Sequence, residues 1–234
     1  MLGKFLNFQP DLVLYEGPDN PLVDTTREEA IERRGGEMGL VRWLVVETNK
    51  GLESQGRQIE ARSFDLTSED WVSGFRDGSY TNEEIAVFDV ARRVYREATN
   101  AIKNKQEMSI AEERFADQMT EPALQGNLTY ELNLVPRSDG QPWTYDLARE
   151  EYKSMTGQEL TFVGNNEENV ETCYVTTLRE MFDFELGFKD KIMADKIVEA
   201  MKTHKKVLVV AGSGHAMAQR PILENTLSVT NGME

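Results

Sequence analysis

His215 stands where an apolar run meets a glycine turn, in "KVLVVAGSGHAMAQ", and it is one of two histidines in the 234-residue chain. An imidazole in that place can give or take a proton near neutral pH, or ligate a metal. Two carboxylates hold the equivalent position after other strand-like runs: Glu16 follows "DLVLY" and Asp65 follows "IEARSF". Ligand sites in open α/β sheets lie beyond the carboxyl ends of the strands. If the three runs are parallel neighbours, Glu16, Asp65 and His215 converge as the donor set of a divalent ion such as Zn²⁺ or Mn²⁺. Such an ion lowers the pKa of a bound water towards 7 and polarises a carbonyl. The plainer reading makes His215 a turn cap and the two acids helix N-caps. Spacing leaves both readings open.

The glycine turn excludes three familiar motifs. A dinucleotide fingerprint needs a small residue where Met217 stands and another βαβ half downstream, so no nucleotide cofactor is expected. A nucleophile elbow centred on Ser213 has Ala211 and His215 at its glycine positions, and no histidine follows it. A phosphate-binding loop would need Lys-Ser or Lys-Thr after the turn. Of the other candidates, His204 in "KTHKK" reads as a helix C-terminal residue that complements the dipole. Trp43, Trp71 and Trp143 read as core, and "KDKIMADK" as a solvated charge run with Ile192 and Met193 turned inward.

The elements that must position these residues can be read from periodicity. "DLVLY", bounded by Pro10 and Gly17, and "KKVLVVAG" have the near-continuous apolar look of strands buried on both faces. "RQIEARSFDLT" alternates and predicts a strand ending near Asp65. Thr26 with Glu29, Thr81 with Glu84, and Ser109 with Glu112 have capping-box spacing and predict three helix starts. Gly35 and Gly36 close the first of these helices, and a second, about 38–49, carries Leu40, Val41, Leu44 and Val45 on one stripe. Ile85, Phe88, Ala91, Tyr95, Ala98 and Ile102 mark the clearest amphipathic helix. Leu128, Tyr130, Leu132 and Leu134 alternate and point to a strand, with a core helix segment as the other option. A long helical pattern follows, which Gly187 is expected to kink or divide, and the closing helix is expected to break at Pro221. Strands at both ends with helices between them predict one α/β domain over 1–234: a largely parallel sheet flanked by helices, with a helical insertion at about 82–160.

Composition narrows the partners. Lys plus Arg number 26 against 41 Asp plus Glu, a net charge of −15 that repels phosphate backbones, so nucleic acid is not an expected partner. The single cysteine, Cys173, has no partner for an internal disulfide and lacks the spacing of a thiolate zinc site. No run reaches the roughly 18 apolar residues of a membrane span and the first residues lack a signal-like stretch, so the chain reads as soluble, its compartment unspecified.

Taken in order, "FQPDLVLYEGP", "RRGGEMGLVRWLV" and "KDKIMADKIVEAMKTHKKVLVVAGSGHAMAQRPIL" resemble the TraB/GumN family, related to the TIKI peptidases and more distantly to ChaN and erythromycin esterases. The likeness covers about 8–65 and 179–223. It implies metal-assisted hydrolysis of a peptide or ester bond in a peptide or small-molecule substrate. Glu16 matches the family's early glutamate, a metal ligand or general base, and His215 its terminal G-x-x-H histidine, a metal ligand or general acid. The family's RD-x-x-M pattern falls on Lys189, Asp190 and Met193. Lysine there keeps a positive charge to stabilise an oxyanion but loses the planar fork of arginine. Asp65 and Glu37 take weaker supporting roles. The family also carries a strand and another G-x-x-H motif upstream of the helix in which this chain begins. A truncated form, or a partner or second copy pairing with an open sheet edge, is the expectation that follows. The alternative is a protein without turnover, in which Gly212 and Gly214 at a helix N-terminus hold a small anionic ligand.

Overall fold

A computed structural model of the chain describes residues 5, 7–17, 26–33, 36–124, 127–160, 162 and 176–231. In chain order the elements are β1 (Leu12–Tyr15), α1 (Arg27–Arg33), α2 (Glu37–Leu52), a 3-10 turn (Glu53–Gln55), β2 (Glu60–Ser63), α3 (Ser68–Asp77), α4 (Asn82–Lys103), α5 (Met108–Gln118), α6 (Leu128–Leu134), α7 (Tyr145–Thr156), α8 (Thr176–Thr203), β3 (Val207–Val210) and α9 (Ser213–Asn231). They form two compact units. The first combines the residues up to Leu66 with those from Lys189 on, and the second is Thr67–Phe188. The insertion expected at about 82–160 lies within the second.

The first unit is α/β. Its three strands are parallel in the order β2-β1-β3, with Tyr15 in register with Ser63 on one side and Val210 on the other. All four β1 side chains are buried because β1 is central and covered on both faces. Val13 and Tyr15 pack against Val41, Leu44 and Val45 of α2, while Leu12 and Leu14 meet Phe64, Met193, Ile197 and Ala200 on the opposite face. Burying each such aliphatic side chain contributes roughly 1.5–3 kcal/mol, so these two small clusters hold the sheet between its helices. The capping box at Thr26 is formed: Thr26 N–H donates to Glu29, and Glu29 N–H donates back to Thr26.

The second unit is helical. Thr67 and Thr81 cap α3 and α4 with complete capping boxes, their N3 partners being Asp70 and Glu84. Gly74 within α3 and Gly78 at its C-cap let that helix lie against the rings of Phe188 and Phe184, since a Cβ at either glycine would come within 2.6 Å of ring atoms.

Four expectations are corrected. The 128–134 segment is helix α6, because Asn127 accepts a hydrogen bond from Tyr130 N–H and burial falls on Leu128, Leu132 and Val135, a helical stripe. Ser109 does not cap α5, whose N-cap is Glu107; Glu112 instead accepts from Tyr145 Oη at 3.1 Å. Gly187 does not divide α8, which runs unbroken through an exposed glycine that nothing crowds. Pro221 does not break α9, where it sits exposed inside the helix and removes one backbone donor. Gly35 and Cys173 lie outside the described residues.

Candidate functional site

Because the three strands are parallel, their carboxyl ends share one edge of the sheet, and Glu16, Asp65 and the turn into α9 all lie there. Glu16 extends β1: its N–H donates to Val210 O at 3.0 Å, which holds its backbone in the ladder. Its Oε2 accepts the N–H of Gly212 at 2.9 Å. A Cβ at Gly212 would stand 3.4 Å from that oxygen, an ordinary contact. Gly214 is exposed, with open space around its Cα.

His215 is held from the other side. Its Nδ1 lies 2.7 Å from Asp190 Oδ1, and a carboxylate only accepts, so Nδ1 carries the proton. Nε2 then faces Glu16 Oε1 at 3.4 Å. A neutral ring with this tautomer offers only a lone pair to an oxygen that also accepts. The contact therefore calls for something positive in the gap: a proton on either group, or a donor from solvent or substrate. Asp190 is further approached by Gln219 Nε2 at 3.5 Å, from the next turn of α9. The three side chains are 15–21% exposed, sheltered yet open to a reactant.

The structure thus brings Glu16 and His215 together and adds Asp190, whose role the sequence reading passed over. The signal was present, since Asp190 occupies the second place of the Lys-Asp-x-x-Met pattern. It lay within a run read as a solvated charge face.

Asp65 and Lys189 form a separate pair. Asp65 Oδ1 lies 3.3 Å from Lys189 Nζ and accepts Leu66 N–H at 2.9 Å, while the Asp65 carbonyl accepts from Lys196. Lys189 is thus engaged by a carboxylate at the place where an oxyanion was expected. Glu37 lines a neighbouring groove along β3. His204 sits beyond the end of α8, its Nδ1 3.2 Å from Ala200 O and its Nε2 3.4 Å from Glu60.

The expected Glu16, His215 and Asp65 metal set is not assembled. Among the described residues no group of three or more His, Cys, Asp or Glu is placed to hold a metal ion. Glu16 Oε1 and His215 Nε2 are two donors where zinc takes at least three protein ligands. The chemistry below is assigned to the side chains that the structure brings together. None of the described helices is long and apolar enough to cross a membrane. Comparisons of the chain with protein-family models, with curated proteins and with solved structures give no match.

Proposed function

We propose that this chain is a hydrolase of TraB/GumN type acting on a peptide or ester bond, with Glu16 and His215 as its acid–base pair and Asp190 as the residue that orients the ring. The observation that carries the reading is the 3.4 Å approach of His215 Nε2 to Glu16 Oε1, with each group fixed from behind, by Asp190 and by Gly212 N–H. Fixed acid and base groups a hydrogen-bond length from a shared reactant position are what general acid–base catalysis requires.

In the starting state Glu16 is a carboxylate and His215 carries a proton on Nε2 as well as on Nδ1, and Glu16 Oε1 takes a proton from water as its oxygen adds to the substrate carbonyl. When the tetrahedral adduct collapses, the bond to the leaving nitrogen or oxygen breaks and that atom receives the proton of His215 Nε2. Transfer of the proton from Glu16 back to Nε2 across their gap restores the starting state, and the net change is addition of one water. Asp190 keeps Nδ1 protonated throughout, so that Nε2 is always the atom that exchanges.

The ligand-holding alternative draws less support. The Gly212 N–H that an anion would need at the start of α9 is already engaged by Glu16. A second negative charge would enter beside Glu16 and Asp190.

The test is turnover of a panel of peptide and ester substrates, with EDTA and with added Mn²⁺ or Zn²⁺. Glu16→Gln and His215→Asn are each expected to lower kcat by about 100-fold or more, the scale of a lost acid or base. Asp190→Asn should lower kcat while leaving KM nearly unchanged. Full turnover in both Glu16→Gln and His215→Asn would refute the assignment.

A further inference from the structure

We propose that the open edge of β3 is a docking site for an extended segment of another protein, apolar at its centre and basic at its ends, which adds to the sheet as a fourth strand. This goes beyond the hydrolytic reading and stands whether or not Glu16 and His215 turn over a bond.

Three observations carry it. β1 has a strand on each side, whereas β3 pairs with β1 alone, and among the described residues no strand lies beyond it. Lys206 and Val210 carbonyls accept from Leu12 and Glu16, so the even-numbered positions of β3 face β1. By alternation, the N–H and C=O groups of Val207, Val209 and Ala211 point to the open edge. An edge of this kind is a ready template for strand addition.

The second observation is a cavity of about 1040 Å³ alongside that edge. Phe5 and Val41 line it from the helical layer on one face of the sheet, and Ile197 and Leu223 from the layer on the other. The two layers reach past β3 and leave a slot between them. All four β3 side chains are only half-buried, although they match β1 in apolar character. A strand in the slot would cover them and place its own alternate side chains against the two layers.

Charge identifies the occupant. The rim carries Glu37, Glu224 and Arg220, and Arg220 is tied to Glu224 at 2.7 Å, so the rim is net negative. A second copy would bring the same net negative rim, and two chains of net charge −15 repel each other. The net negative rim favours a basic segment, and that attraction should weaken with salt.

The probe is a short fluorescein-labelled peptide with central valines and terminal lysines, titrated by anisotropy into the full chain. Controls are the same peptide with glutamates for lysines, and a version N-methylated at alternate amides. The basic peptide is expected to bind and the other two to bind at least about tenfold more weakly. Val209→Pro removes an outward donor at a position where an edge strand tolerates proline, and should lower affinity about tenfold. Leu223→Arg, which crowds the slot from α9, should do the same without touching the strand. The doubly reversed Glu37→Lys, Glu224→Lys chain should come to prefer the acidic peptide. Equal binding of the basic, acidic and N-methylated peptides would overturn the proposal. So would a dimer in sedimentation that Val209→Pro or Leu223→Arg dissociates, because the occupant would then be a second copy.

Discussion

Each unit of this chain contains a cluster of ionisable side chains, and the two differ in how completely their hydrogen-bonding needs are met. In the helical unit Asp89 is 1% exposed and receives Arg92 and Arg93 from its own helix. Arg92 also reaches Glu185 at 2.7 Å, which accepts Trp71 Nε1–H as well, and its guanidinium lies over the Trp71 ring. Arg93 pairs with Glu131, which accepts from Ser68. Three carboxylates and two guanidiniums from α4, α6 and α8 are thereby closed into one network with partners from α3. In the α/β unit, Glu16, His215 and Asp190 form a shorter chain whose central contact, His215 Nε2 to Glu16 Oε1, spans 3.4 Å. A closed buried network specifies a packing arrangement. A sheltered pair whose central contact is this long is where a reactant can enter. Burial and charge occur in both, so satisfaction rather than composition separates structure from site.

The sharpest way to break this comparison is to remove one carboxylate from each cluster. Asp89→Ala removes the most buried carboxylate of the network, leaving Arg92 to Glu185 and Arg93 to Glu131, and loss of one partner of a buried pair costs about 3 kcal/mol. Glu16→Gln keeps an acceptor for Gly212 N–H and is expected to cost about 1 kcal/mol or less. Urea unfolding of both variants, read by tryptophan fluorescence, gives the two numbers. Comparable losses would mean that the α/β cluster is as structural as the helical one.

A smaller effect is expected from pH. Burial and the neighbouring charge of Asp89 push Glu131 up from 4.5 to about 7, while Arg93 opposes the rise. Burial raises Asp89 too, but the charges of Arg93 and Arg92 outweigh it and hold Asp89 below the usual carboxylate range. For Glu131 the folded state keeps its proton after the unfolded chain has lost it. Its stabilising contribution is therefore full below about 4.5, fades as pH rises and is gone above about 7. Asp89 has the opposite sign, its contribution falling away as pH drops through its lowered value. The helical unit should thus lose roughly 2 kcal/mol between pH 5 and pH 8, and Glu131→Gln should flatten that slope. A slope unchanged by Glu131→Gln would assign the pH dependence to other groups.

The sequence made the α/β frame legible because the buried strands "DLVLY" and "KVLVV" are short unbroken apolar runs, and two of the three capping boxes formed as spaced. The pairing of Glu16 with His215 followed from strand ends alone. Where the structure differs from local pattern the cause is common: tertiary partners override it. Leu128 to Leu134 alternates, yet the Asn127 cap and the apolar surface offered to Leu128 and Leu132 select a helix. Gly187 and Pro221 cost their helices locally, but the surrounding turns carry α8 and α9 through them. Asp190 sits among charges that do face solvent, and its role appears only once α9 brings His215 to within 2.7 Å of it. The buried network on Asp89 was equally hidden, because arginines one turn from an aspartate read as a solvated helix face.

A small effect is also expected for the stability of His215→Ala. The side chain is 21% exposed and makes one strong hydrogen bond, to Asp190. Its removal takes away that bond and some ring packing, but Asp190 is itself 15% exposed and still has Gln219 nearby, so groove water can solvate the freed oxygen. The loss should be about 1 kcal/mol, against the 1–3 kcal/mol of a buried group left without a partner. A double-mutant cycle with Asp190→Asn isolates the bond itself, and a coupling below about 1 kcal/mol is the expected value. Urea midpoints for the wild type, both single variants and the double variant supply it. A loss above about 3 kcal/mol for His215→Ala would put this histidine in the same class as Asp89, and its place between two carboxylates would then be explained by folding alone.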